Sequence, residues 1–222
     1  MKLFYPEVCS GCTEILLQHE KVICVSCRHH LPLTNHLLSP ENEGFKKFYG
    51  RIPVEHTSSM LYYHKKGIVQ KLIHNLKYKN HQAIGTLLGD WHVEELKTSE
   101  VLKTVDYIIP VPLHKKRLKE RGYNQVATFC ESISNGLEKE YVDTILIRNE
   151  YAATQSKKNL IGRNTVSENT FQTQFSEIHH GKHFLLIDDV LTTGATLEAC
   201  GKALLKIPGS KLSIVTMAMS QS

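Results

Sequence analysis

The sequence predicts an α/β protein, a mostly parallel sheet flanked by helices with a small cysteine-bearing unit ahead of it. Three observations lead there. Short apolar runs of strand length alternate with helical periodicities along most of the chain. One such run ends in two acids and a small hydroxyl-rich turn, Leu185-Leu186-Ile187-Asp188-Asp189-Val190-Leu191-Thr192-Thr193-Gly194-Ala195-Thr196. Four of the six cysteines form two Cys-x-x-Cys pairs near the start, Cys9 with Cys12 and Cys24 with Cys27.

The cysteine pairs come first in the chain. Four thiolates in paired knuckles can close a tetrahedral metal site, and Gly11 suits the tight turn of the first knuckle. The runs ILL and KVI between the pairs read as short strands of a ribbon. So small a unit buries little core, and a metal would supply folding energy. Structural zinc is the expectation. An iron–sulfur centre and two disulfides are the competing readings, the latter disfavoured in a reducing compartment. The unit with its connection covers residues 1–40, and residues 41–222 form the main domain. Within this division, residues 31–44 read as a linker containing two prolines.

The main domain then unfolds in order. Residues 54–63 suit a strand or hairpin arm. Ile68, Leu72, Ile73 and Leu76 mark a helix, and Ile84, Leu87, Leu88, Trp91 and Leu96 a second. Residues 105–111 read as a strand ending in a Pro-x-Pro turn. A long helix over about residues 123–140 carries Val126, Phe129, Cys130, Ile133 and Leu137. Residues 142–147 suit a strand, and the polar residues 151–169 a mobile loop. Residues 184–188 and 211–219 are further strands, with a helix from Leu197 between them. Cys130 and Cys200 fall in helical patterns as small core residues.

The turn after Ile187 carries the chemistry. A buried strand's C-terminal end followed by a helix start is where open α/β sheets bind ligands. Unpaired amides at such a helix start attract phosphate. Gly194 lets the backbone approach a ligand, and Thr192, Thr193 and Thr196 add hydroxyls around Ala195. Carboxylates beside a phosphate would repel it, so Asp188 and Asp189 are expected to face the paired hydroxyls of a ribose. An ordinary strand–turn–helix with Thr as N-cap is the plain alternative.

Two basic segments complete the pattern. After the strand ending near Val111 comes Pro112-Leu113-His114-Lys115-Lys116-Arg117-Leu118-Lys119-Glu120-Arg121, with five cations near an expected helix start. Cations there oppose the helix dipole, and a bound polyanion would offset the cost. A solvated basic face is the alternative. The second segment, residues 154–164 with Lys157, Lys158 and Arg163, suits a lid over an anionic ligand or a plain surface loop.

The acid pair with its Thr-Gly-x-Thr turn resembles the signature of type I phosphoribosyltransferases for 5-phosphoribosyl 1-pyrophosphate (PRPP). With the cysteine pairs, the PVPLHKKRLKERGYNQ segment and the loop bearing Arg163, the chain resembles the ComF/ComFC family of competence-associated proteins over nearly its whole length. The resemblance implies a type I phosphoribosyltransferase fold behind an N-terminal zinc ribbon. Asp188 and Asp189 would hold the ribose, and Thr192, Thr193, Gly194, Ala195 and Thr196 the 5-phosphate. Pro112, Leu113, His114 and Lys115 would hold the pyrophosphate, with Mg²⁺ neutralising it and Arg163 on a catalytic loop. The chain departs from the family pattern there, with Val166 where members commonly carry Asn. Natural transformation is the implied cellular role. The partners it admits are PRPP, single-stranded DNA on Lys116, Arg117, Lys119 and Arg121, and other DNA-uptake proteins. A binding factor that uses PRPP or a nucleotide as a regulatory ligand is the alternative to a transferase.

Composition sets the outer bounds. A formal net charge of +5 favours an anionic partner, and no apolar run approaches the length of a membrane span. No signal-peptide core precedes the cysteines, so the cytoplasm is the expected compartment.

Overall fold

A computed structural model describes residues 6–149 and 170–221. Its centre is a five-stranded sheet in the order β1-β7-β6-β2-β3. The strands are β1 (His56–Tyr63), β2 (Tyr107–Pro110), β3 (Glu140–Tyr141), β6 (His183–Leu191) and β7 (Lys211–Ser220). All four pairings are parallel, as predicted from the alternation of strand and helix. Two further strands, β4 (Leu146–Arg148) and β5 (Phe171–Thr173), form a separate antiparallel pair.

Helices cover both faces. On one lie α3 (Ile68–Tyr78), α4 (Ala83–Leu96) and α7 (Ala127–Leu137), whose apolar stripes meet Ile108, Leu185, Ile187 and Val215 of the sheet. The helices α4 and α7 approach closely because α4 presents glycine: a Cβ on Gly89 would lie 2.6 Å from the Ser132 Cβ. On the other face α8 (Ala195–Leu204) and the β4–β5 pair cover Ile109, Leu186 and Ile214, with Phe171 of β5 packed into the same cluster. The short helices are α1 (Val25–His29), α2 (Glu43–Lys46), α5 (Glu100–Lys103) and α6 (Lys115–Arg121).

The cysteine unit packs into the first of these cores. Cys9, Ile23, Cys24 and Cys27 join the apolar side chains of α3. Its contacts also include an Asn75 amide donating to the Ser10 carbonyl at 2.9 Å and the Arg28 guanidinium 4.5 Å over the Trp91 ring. Its expected strands reduce to single bridges, Val8 with Ile15 and Lys21 with Ile23.

Four expectations need correction. Residues 31–44 are no free linker: the Tyr62 amide donates to the Pro32 carbonyl at 2.7 Å, and Leu33 bridges Leu61, so this stretch covers the open edge of β1. The long helix over residues 123–140 is shorter: it is α7 alone, and residues 122–126 form a turn that separates it from α6. Gly122 takes φ +79° as the left-handed C-cap of α6. The strand over residues 142–147 is displaced: β3 ends at Tyr141, residues 143–145 bend, and β4 begins at Leu146, with Asp143 a favoured turn residue. Finally, β6 runs through the acids to Leu191, so Asp188 and Asp189 belong to the strand and only Thr192 to Gly194 form the turn.

Candidate functional site

Sheet topology fixes the place of the site. From β2 the chain passes through α7 to β3 on one side, and from β6 through α8 to β7 on the other. The neighbouring strands β2 and β6 therefore flank the point where the winding reverses, the place at the strands' carboxyl ends where open α/β sheets form their ligand crevice. Asp188 and Asp189 end one wall, and Val111 to His114 follow the other.

Successive residues of a strand project to opposite faces, so the two carboxyl groups diverge. The Asp189 carboxylate, almost wholly buried, lies 2.7 Å from the ammonium of Lys77 in the last turn of α3. The Asp188 carboxylate accepts the amide of Asp189 at 2.8 Å. Burial, then the negative charge of Asp189, pushes Asp188 up to about 8. The expected pair of carboxylate acceptors is thus one ion-paired carboxylate beside one carboxyl group held well above the ordinary carboxylate range.

The turn that follows is short and leads directly into a helix. Gly194 adopts φ +79° as the N-cap of α8, and a Cβ there would come 3.1 Å from the Phe48 ring. The first helical bond runs from Glu198 N–H to the Gly194 carbonyl at 2.8 Å, so the amides of Thr196 and Leu197 have no helical acceptor. Thr192 and Thr193 are exposed, and Ala195 and Thr196 half-buried. Arg51 braces the turn from behind. Its guanidinium donates to the Thr193 carbonyl at 2.9 Å and, through Nε, to Glu198 at 2.8 Å.

Across the crevice, Asn124 donates to the Val111 carbonyl at 3.0 Å and holds the start of the Pro112–Leu113–His114 turn. His114 caps α6 by accepting the Lys116 amide at 3.1 Å. No residue of α6 is buried, so Lys115, Lys116, Arg117, Lys119 and Arg121 stand on one solvated helix. Lys119 and Arg121 occupy its last turn, where the dipole favours cations, which relieves part of the predicted cost. Arg163 and residues 154–164 lie outside the described residues.

Away from the crevice, the sulfurs of Cys9, Cys12, Cys24 and Cys27 lie within 4.8 Å of one another, and Cys12 and Cys24 are 3.7 Å apart. A tetrahedral ion with metal–sulfur bonds of about 2.3 Å needs sulfur–sulfur edges of about 3.8 Å. The donor set therefore fits a metal ion. Burial raises the Cys9 thiol, but backbone donors including the Cys24 and Gly11 amides, at 3.2 and 3.3 Å from its sulfur, bring it down to about 6. All six cysteines are free of disulfides.

Residues 126–220 match the phosphoribosyl transferase domain family. The chain is 30% identical over 138 residues to DNA utilization protein YhgH of Escherichia coli O157:H7, covering 61% of this chain and 60% of that protein. It is 30% identical over 151 residues to Competence protein F of Haemophilus influenzae, covering 66% of each. It is 34% identical over 115 residues to Competence protein ComFC of Bacillus subtilis, covering 52% of this chain and 44% of that one. The chain belongs to the ComF family. The chain spans 60% of the length of the first of these relatives. Solved structures similar to this ComF-family chain include adenine phosphoribosyltransferases. The Saccharomyces cerevisiae enzyme is 18% identical with TM-score 0.36, covering 68% of each chain. That of Leishmania tarentolae is 14% identical with TM-score 0.39, covering 64% of this chain and 73% of that one. The type I phosphoribosyltransferase fold of the ComF chain rests on its sheet order and the family match.

Reading the ComF sequence alone misses Lys77 and Arg51. Lys77 had a signal: Val69, Ile73 and Lys77 form one i, i+4 row, so a cation continues an apolar row. Arg51 had none, because its partners Thr193 and Glu198 are more than 140 residues away.

Proposed function

We propose that this chain binds PRPP with Mg²⁺ and acts as a phosphoribosyltransferase-like protein in the handling of incoming DNA. The meeting of an acid pair with an uncapped helix start at one topological switch point carries the reading. In it, the amides and hydroxyls of Thr192, Thr193, Gly194, Ala195 and Thr196 take the 5-phosphate. Asp188, holding its proton, donates to one ribose hydroxyl, and Asp189 accepts from the other. Lys77 must then share or leave Asp189. Pro112, Leu113, His114 and Lys115 face the pyrophosphate, whose charge Mg²⁺ neutralises when bound. In a transfer, an acceptor atom would bond to C1 as the C1–oxygen bond to pyrophosphate breaks. Relatives named for DNA utilization and competence support the cellular role. We take the ion of the four-cysteine site to be structural zinc, and the cytoplasm to be the compartment that keeps its thiols reduced.

Calorimetric titration of PRPP with Mg²⁺ tests the site. Asp188→Asn with Asp189→Asn is expected to abolish binding; unchanged affinity in the double variant rejects the assignment. A second reading has its own support in α6, whose seven residues are all solvated and include five cations. There, single-stranded DNA would lie on Lys116, Arg117, Lys119 and Arg121. Its affinity should fall linearly on a log–log plot against salt, by about 0.7 per phosphate contact. No binding at low salt removes that reading.

A further inference from the structure

A cavity of about 600 Å³ lies between the last turn of α3 and the outer turns of α6. Its walls include Lys77, Tyr78, Lys79, Arg117, Arg121 and Tyr123. Glu120 is the one acid against four cations, and it leans toward Lys116 of its own helix at 3.9 Å. None of Pro112, Leu113, His114 or Lys115 contributes to the lining, so the cavity is separate from the turn assigned to pyrophosphate.

Two features make this more than a charged surface. The first is that the wall is held in place. Arg121 donates to the Gln125 side chain at 2.6 Å and stacks 5.1 Å over the Tyr78 ring, and the Tyr123 hydroxyl donates to the Leu76 carbonyl. The second is that the charge is left over. Among the described residues neither Lys79 nor Arg117 has an ion-pair partner, whereas Lys77 pairs with Asp189, so the two unpaired cations in one concavity repel each other until an anion enters.

We infer that this cavity is a second ligand site that takes a phosphate monoester. Such a group carries nearly two negative charges at neutral pH and three acceptor oxygens, which matches two guanidinium forks and two ammonium groups. The volume falls in the range of small-molecule sites, roughly 300–1,000 Å³. The Tyr78 ring, 64% exposed, offers an apolar flank to the rest of the molecule. Lys77 joins this site to the crevice. It lines the cavity and also pairs with Asp189, so a phosphate that draws Lys77 inward frees Asp189 for a ribose. A free nucleotide and the 5′-phosphorylated end of a strand share the required chemistry.

Calorimetry on the full chain decides it, with ribose 5-phosphate saturating the crevice. The probes are adenosine 5′-monophosphate, adenosine, and a thymidine hexanucleotide with and without its 5′-phosphate. The nucleotide is expected to bind at least tenfold tighter than adenosine. The exposed pair Lys79→Gln and Arg117→Gln should cost it tenfold or more while ribose 5-phosphate binding stays within twofold. A hexanucleotide bound only when 5′-phosphorylated assigns the site to strand ends as well, and one not bound at all assigns it to the free nucleotide. The proposal is overturned if the nucleotide displaces ribose 5-phosphate one for one and ignores the double variant. It is equally overturned if the nucleotide binds no better than adenosine. Failure of ribose 5-phosphate to bind the wild type would remove the crevice reading, and the nucleotide titrations would still decide the cavity.

Discussion

The two strand ends that face each other across the crevice are built on opposite principles. After β6 the turn is short, uncharged and mostly backbone, with a positive-φ glycine and free helix amides. After β2 the chain enters a helix with no buried residue, whose charge is on side chains that are mostly exposed, with Arg121 held by Gln125 and the Tyr78 ring. Oriented amides recognise an anion by geometry and lose it with any distortion of the backbone. Exposed cations recognise charge at a distance, tolerate individual substitutions and weaken with salt. One wall is thus suited to fixing a single phosphate in register, the other to gathering anions from solution.

The sharpest way to break this contrast is Gly194→Val. A β-branched residue at φ +79° pays the left-handed penalty and meets the Phe48 ring. The two costs together reach about 3 kcal/mol, or roughly 100-fold in affinity for ribose 5-phosphate. Any salt-dependent binding at α6 should be unmoved by the same variant. Calorimetry with ribose 5-phosphate checks the first part, and a salt series with single-stranded DNA the second. If both fall together, the walls are not independent. A milder variant is Arg51→Ala, which removes the donor to the Thr193 carbonyl without touching the ligand. That bond is partly exposed and worth about 1 kcal/mol, so affinity should fall roughly fivefold. Arg51→Lys should recover only part, since one ammonium does not reproduce the fork between Thr193 and Glu198.

The same contrast explains what was legible in the sequence. Local signals were read well: the cysteine pairs, the run ending in Asp188 and Asp189, and the Thr-Gly-x-Thr turn all act over a few residues. Boundaries failed where tertiary context decided them. The carboxyl-end extension of β6 depends on pairing with β7 at Asp188 with Thr216 and Leu191 with Met219, which no local pattern announces. Residues 31–34 look like a linker until the exposed edge of β1 is known to need covering. The protonation of Asp188 was hidden as well, because burial and the nearness of Asp189 matter only once the strand is in the sheet.

That proton gives the smallest and most specific test. The groups near Asp188 are Asp189, which raises it, and Lys77, which lowers it by less than burial does the reverse. In the unfolded chain Asp188 ionises at its ordinary value near 4, whereas in the fold it holds its proton to about 8. Between these limits the folded state binds more protons than the unfolded one, so this group lowers stability as pH rises and its contribution levels off above about 8. The slope is at most about 1.4 kcal/mol per pH unit, shrinking near the upper limit. His56 acts in the other direction and elsewhere. Burial pushes it down to about 4, so its penalty grows as pH falls below its ordinary value near 6.5 and does not overlap the window above neutrality. Urea unfolding at pH 7, 8 and 9 separates the two. Wild type should lose stability from 7 to 8 more steeply than Asp188→Asn, by about 1 kcal/mol, with the difference shrinking to about 0.4 kcal/mol from 8 to 9. Parallel curves throughout would mean that Asp188 is already ionised at pH 7, and the turn after β6 would then sit beside two negative charges instead of one.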